Sequence, residues 1–221
     1  MKVFEVGGHV RDSFLGKPSN DIDYVIEAGS FDEMKSYVLE NSKNIFLEKP
    51  DFGTIRYMSL TGSPEDISLC VKTRKSDGTI KELGPIEEDL KNRDFTINAI
   101  ARLKLNSEII DPFNGQADIK NKIIKCTSEP HKVFNADPVR IIRAIRFKLE
   151  LGFQFDTKIN DFFSDQKNFS CLLKINRERL RQELDKCFKV STFATVIEMS
   201  KLGEGFLNSI FDQHKIGLKV R

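Results

Sequence analysis

The sequence predicts an α+β protein: a small mixed β-sheet with flanking helices, followed by an all-helical region. Two observations predict it. Short runs of alternating polar and apolar residues crowd the first third, and from Ala117 onward helical patterning takes over. The composition agrees. A chain of 221 residues, 39% hydrophobic and 31% charged, buries a real core and is not disordered. The charges nearly cancel, 35 Lys and Arg against 33 Asp and Glu for a net charge of +2. That excludes a histone-like basic tail and a strongly acidic protein, and leaves any nucleic-acid contact to a local basic patch.

Met1–Val6 is an apolar strand-like run, broken by Gly7-Gly8, and Val10–Leu15 carries a short helical pattern. Asp21-Ile-Asp-Tyr-Val-Ile26 alternates and then turns apolar, as a half-buried strand does. Ser30–Asn41 is predicted to be a helix capped by Ser30, with Glu33 as its capping-box partner. Gly53–Leu60 and Asp66–Val71 alternate around the turn Thr61-Gly-Ser-Pro64, which predicts a hairpin. Lys75–Thr79 is a polar loop, Ile86–Leu105 reads as mainly helical, and Glu108–Gly115 is a short strand closing in a turn. The domain boundary is placed after residue 125, giving an α/β domain of residues 1–125 and a helical domain of residues 126–221.

No apolar run reaches the ~20 residues of a membrane span, and Met1-Lys-Val-Phe4 has no charged-then-apolar leader. Cys70, Cys126, Cys171 and Cys187 are scattered without metal-ligand spacing. They read as reduced thiols of a cytoplasmic protein.

Three segments carry chemistry. The first is Gly7-Gly-His-Val-Arg-Asp12 followed by Asp21-Ile-Asp23. Two carboxylates two apart on a strand face the same way, and such like charges are costly unless a cation lies between them. Oxygen donors without thiol or imidazole favour Mg²⁺ or Mn²⁺ over zinc. The Gly-Gly turn offers backbone N–H groups to phosphate oxygens, and Arg11 a bidentate contact. Together these are the components of nucleotidyl transfer assisted by two metal ions.

The second segment is Asn92-Arg-Asp-Phe-Thr-Ile-Asn-Ala-Ile100 at a predicted helix start, where Arg93 suits a phosphate and Asp94 a cap or an orienting role. The third is Asp137-Pro-Val-Arg-Ile-Ile-Arg-Ala-Ile-Arg-Phe147, with Asp137 as N-cap and Pro138 as first helical residue. At roughly 100° per residue, Asp137, Arg140, Arg143 and Arg146 take one half of the helix, and Ile141, Ile142, Ile145 and Leu149 the other. An Asp–Arg pair matches the donor and acceptor edge of a base that carries an exocyclic amine, as cytosine and adenine do.

In this order the three segments resemble the class II tRNA nucleotidyltransferase and bacterial poly(A) polymerase family of the DNA polymerase β-like superfamily. Glu108–Gly115 and Glu178-Arg-Leu-Arg-Gln-Glu-Leu184 resemble further family segments, the latter a neck motif that buttresses the arginine-bearing helix. The resemblance implies a nucleotidyltransferase head followed by a helical neck. It implies transfer of C or A from CTP or ATP to the 3′ end of tRNA or another RNA, with Mg²⁺ or Mn²⁺ as cofactor. Poly(A) addition uses the same head, and a non-catalytic nucleotide- or RNA-binding chain is the alternative outside the enzymes.

Carried over, Asp21 and Asp23 are metal ligands, and Asp66 is the third carboxylate with Glu65 as its competitor. Gly8, Arg11 and Arg93 touch the nucleotide, Asp137 and Arg140 template the base, and Arg143 and Arg146 line the nucleotide pocket. Two positions depart from the family pattern: Ala136 stands where it has Glu, and Asn92 where it has Arg. Relatives of this kind carry a further helical body and tail. The expectation is therefore a head-and-neck form in which dimerisation, a partner chain or a short acceptor meets the need for an RNA grip.

Overall fold

The computed structural model describes residues 1–17, 22–75 and 77–216. The chain divides into two compact units, Met1–Ile119 and Lys120–Arg221.

In the first unit β1 (Lys2–Val6) runs into α1 (Gly8–Phe14) through Gly7. β2 (Asp23–Glu27) leads to α2 (Phe31–Asn41). Ser30 caps α2, its Oγ accepting from the Glu33 N–H at 3.2 Å, as the spacing predicts. The Glu33 carboxylate accepts from the Gly29 N–H at 2.6 Å, one residue before the Ser30 N–H that a capping box uses.

β3 (Ser42–Lys49) follows directly. Its side chains are all exposed or half-buried, so it shows no polar–apolar alternation and is not legible in the sequence. β4 (Thr54–Ser59) and β5 (Pro64–Leu69) form the expected hairpin. β6 (Val71–Arg74) and β7 (Ile80–Leu83) flank the polar loop and pair as a separate antiparallel ribbon.

The expectation of a mainly helical Ile86–Leu105 is corrected. Only α3 (Ile86–Lys91) is α-helix; a 3₁₀ turn at Thr96–Asn98 and β8 (Ala101–Leu103) follow. Two causes end the helix. The Asp94 carboxylate accepts from the Phe95 N–H at 2.8 Å, a local bond that competes with helix continuation. Residues 94–101 are all buried, with no polar face for an amphipathic helix, and Ala101–Leu103 pairs with β1. β9 (Ile109–Ile110) and α4 (Gly115–Asn121) follow.

Seven of these strands form one mixed sheet in the order β3-β4-β5-β2-β1-β8-β9. Only β2 and β5 are parallel within it. α2 covers one face through Met34 and Val38, which pack on Ile26, Ile55, Tyr57 and Ile67. Ile86 and Leu90 of α3 cover a portion of the other, over Phe4, Val6 and Val25.

The second unit contains α5 (Pro130–Ala136), α6 (Val139–Leu151), α7 (Thr157–Ser164), α8 (Arg177–Val190), α9 (Thr192–Ser200) and α10 (Glu204–Leu207). It adds a two-residue parallel pair, β10 (Ile123–Ile124) with β11 (Gln154–Phe155). Ile141, Ile142 and Ile145 of α6 are buried, as projected. Asp137 does not hold the N-cap position. It is extended, as a residue before proline tends to be, and Val139 is the first helical residue. Its carboxylate still accepts from the Val139 N–H at 3.4 Å. Phenylalanines supply much of this unit's core, with Phe134, Phe162, Phe163, Phe169 and Phe206 in successive ring contacts. Among the described residues no helix is long and apolar enough to cross a membrane.

Candidate active site

In the first unit the Gly7–Gly8 turn, β2, β5 and the segment after α3 converge. Gly7 has φ +71°, a conformation that glycine adopts without steric cost. A Cβ there would lie 3.3 Å from Arg93 Nη1 and 3.9 Å from the Asp23 Oδ2. The Arg93 guanidinium and the Asp23 carboxylate therefore both stand against the bare backbone of this turn. Arg93 is held by Asp89, one helical turn earlier, at 3.3 Å; the other Asp89 oxygen accepts from the Val71 N–H at 3.1 Å. Sequence reasoning missed Asp89; its i, i+4 spacing from Arg93 is the signal that could have found the pair.

Asp23 opens β2, and its register partner on the parallel neighbour β5 is Asp66. Paired residues on adjacent strands project from the same face, so Asp23 and Asp66 stand side by side. Glu65 lies on the opposite face, where its carboxylate accepts from the Tyr57 hydroxyl at 2.7 Å. Burial, and then this bond, push the Tyr57 hydroxyl well above its ordinary pKa. The geometry thus favours Asp66 over Glu65 as the neighbour of Asp23. Asp21 lies outside the described residues. Among the described residues no group of three His, Cys, Asp or Glu side chains could hold a metal ion. Asp23 and Asp66 are both hard oxygen donors, a donor type suited to Mg²⁺ or Mn²⁺.

Arg11 is buried, 7% exposed. Its guanidinium donates to Asp12 at 2.8 Å and to the Asn98 side-chain oxygen at 2.8 Å. Its Nη2 is 3.6 Å from where a Gly8 Cβ would stand. Asn98 in turn donates to Asp94 at 3.3 Å, and the same Asp94 oxygen accepts from the Phe95 N–H. Gly115 packs on the carbonyl of Thr96, leaving no room for a side chain, and Asp111 accepts from its N–H at 2.7 Å. Asn92, where the resembled family has Arg, donates to the carbonyls of Val71 and Lys72 at 2.9 and 3.0 Å and so ties α3 to β6.

In the second unit Asp137 and Arg140 are neighbours, Oδ2 to Nε 4.0 Å. Arg179 of α8 also reaches Asp137, at 2.6 Å. Arg143 lies over the Phe147 ring, 5.5 Å from its centroid. Arg146 is engaged by Glu183 of α8 at 2.5 Å and by Glu150 at 2.8 Å. Burial disfavours its charge, but the two carboxylates raise its pKa above the ordinary value. α8 thus braces α6 just before its start, through Arg179 on Asp137, and near its middle, through Glu183 on Arg146. Arg140 and Arg143 remain half-buried on the polar half of α6.

Comparison with known proteins gives a consistent set of likenesses. Residues 3–125 match the family described as the poly(A) polymerase head domain. The chain is 35% identical over 194 residues to a CCA-adding enzyme of Streptococcus thermophilus, an alignment covering 84% of this chain and 45% of that protein. It is 32% identical over 206 residues to an A-adding tRNA nucleotidyltransferase of Aquifex aeolicus, covering 90% and 24%. Among solved structures, the Thermotoga maritima CCA-adding enzyme complexed with tRNA superposes with a TM-score of 0.79 at 27% identity, covering 96% of this chain and 48% of that one. The chain thus spans about half the length, or less, of the relatives it matches.

Proposed function

The chain belongs to the poly(A) polymerase head-domain family over residues 3–125, and from that premise we propose that it is a divalent-metal-dependent RNA nucleotidyltransferase that adds C, A or both to the 3′ end of tRNA. The carrying observation is the register of Asp23 with Asp66 on one sheet face, next to a glycine turn faced by Arg93. The likeness to a CCA-adding enzyme and to a structure of one with tRNA supports tRNA as acceptor.

In this reaction the RNA 3′-hydroxyl oxygen bonds to the α-phosphorus of CTP or ATP. The bond from that phosphorus to the bridging oxygen breaks, pyrophosphate leaves, and the hydroxyl proton passes to solvent or a carboxylate. Asp21, Asp23 and Asp66 would hold Mg²⁺ or Mn²⁺, which when bound neutralises charge on the phosphates and activates the hydroxyl. Arg93, steadied by Asp89, binds triphosphate oxygens beside Gly7 and Gly8. Arg11, locked on Asn98, holds the glycine turn in shape, a positioning role rather than the direct contact the sequence suggests. Within the second unit, Asp137 and Arg140 present an acceptor and donors suited to a base edge, and Arg143 a cation suited to a phosphate. Arg146, neutralised by two carboxylates, anchors α6 to α8. In this reading residues 1–125 form the head and 126–221 the neck of a cytoplasmic enzyme.

The test is incorporation of labelled CTP and ATP, in separate lanes, into tRNA lacking its 3′ end. One to three added residues are expected, and Asp21→Ala and Asp23→Ala abolish them. No incorporation into any tRNA or short RNA by the folded protein would sink the proposal. Addition of A alone is the second reading, favoured by the likeness to the A-adding tRNA nucleotidyltransferase; an empty CTP lane identifies it. Long tails from ATP alone would identify poly(A) addition, and nucleotide binding without incorporation a non-catalytic chain.

A further inference from the structure

Beside the proposed centre, Asp66 carries a second relationship. Its register partner on β4 is Arg56, just as its partner on β2 is Asp23. Arg56, Asp66 and Asp23 therefore form one row across three strands on one face. Arg56 Nε donates to one Asp66 oxygen at 2.8 Å and Nη2 to the other at 2.5 Å. This fork-on-fork pairing engages both oxygens of the carboxylate at once.

We propose that Arg56 is a positioning residue that holds Asp66 in the row and competes with a divalent cation for it. The inference rests on the reading of Asp66 as a site carboxylate. A cation that uses Asp66 must draw at least one oxygen away from the guanidinium, and it approaches against a positive charge. The position of the pair suits a clamp that opens. The Arg56 side chain is 57% exposed and that of Asp66 30%, so solvent and salt screen the attraction and keep it weak. A fully buried arginine would close Asp66 off; an exposed one yields when a stronger cation arrives.

The test is Mn²⁺ binding to the full 221-residue protein, without nucleotide or RNA, followed by the electron paramagnetic resonance signal of free Mn²⁺. Arg56→Met is expected to bind Mn²⁺ about two- to fivefold more tightly than wild type, the range set by the modest strength of exposed pairs. Arg56→Lys keeps the charge and loses the fork, so its gain is smaller and of the same sign; it carries the comparison where Arg56→Met fails to fold by circular dichroism. In an Asp66→Asn background the gain from Arg56→Met largely disappears. Equal affinity of wild type and both Arg56 variants, no Mn²⁺ bound by any of them, or an undiminished gain in the Asp66→Asn background would each overturn the clamp. No turnover is read, so an inactive protein that shows the Mn²⁺ pattern defeats the catalytic proposal alone. An active protein without the pattern defeats the clamp alone.

Discussion

Asn98 accepts a hydrogen bond from Arg11 at 2.8 Å across 87 residues of sequence, and so joins the segment after the first strand to the segment after α3. Arg11 lies within the buried interior of the first unit, where a guanidinium that loses an acceptor bears the full desolvation penalty. Asn98 also donates to Asp94, which fixes the Phe95 backbone. Asn98→Ala cuts this chain in the middle. A loss of about 1–3 kcal/mol of unfolding free energy is expected, as for a buried polar group left unsatisfied. Urea denaturation followed by circular dichroism measures it, and a midpoint equal to wild type would show that the Arg11 contact carries no stability.

Gly115 makes a sharper case. A methyl group there would stand 2.2 Å from the Thr96 carbonyl oxygen and 2.9 Å from Ile100 Cγ1. The first of these is main chain in a fully buried turn, so it cannot swing aside. Gly115→Ala should destabilise the first unit by about 3 kcal/mol, the upper end of the usual overpacking range. Thermal denaturation is the measurement; a variant as stable as wild type would mean that the turn has room to move.

β4 and β5 were legible because one face of each is the more buried, and β2, buried on both faces at Tyr24, Val25 and Ile26, because its alternation passes into an apolar run. β3 was not, because its side chains are mostly exposed and leave no period to read. The helical expectation for Ile86–Leu105 failed at Asp94, where a side chain captures the backbone N–H that a helix would need. The site shows the same division. Asp23, Arg93, Asp137 and Arg140 stand out by motif. The partners that hold them, Asp89 on Arg93 and Arg179 on Asp137, come from spacing or packing. Arg56 was hidden because its link to Asp66 depends on the hairpin register, which a turn signal alone does not fix.

All four cysteines are free and buried. Burial pushes the thiols of Cys70, Cys171 and Cys187 up, Cys187 to about 12 with the charge of Glu183 adding to the effect. The thiolate is the reactive form, and at pH 8 only on the order of 10⁻⁴ of a thiol with that pKa is ionised. The folded protein should therefore react slowly with a thiol-specific reagent at pH 8, and all four cysteines should react promptly in guanidinium chloride. Rapid labelling of Cys187 in the folded state would show that the α6–α8 contact opens readily.

That contact also has a pH signature. Glu183 has a side chain only 7% exposed, and burial by itself would raise its carboxyl pKa. The Arg146 guanidinium at 2.5 Å, with Lys186 at 3.3 Å, outweighs burial and holds it below the usual carboxylate value. A carboxylate with a depressed folded pKa stabilises the fold above its unfolded pKa of about 4.3 and loses that contribution as pH falls through the folded value. Glu183→Gln removes the contribution at every pH. Near pH 7 the variant should be less stable by about 2 kcal/mol, the scale of a hydrogen bond to a charged group. Arg146 retains Glu150 in the variant, at 2.8 Å, which keeps the loss from being larger. As the pH falls below the unfolded value and through the depressed folded one, the wild-type carboxyl takes up its proton and the difference should shrink toward zero. Denaturant titrations of both proteins at pH 7, 5 and 3.5 measure it. A difference that stays constant across that range would mean that Glu183 acts through packing and not through its charge.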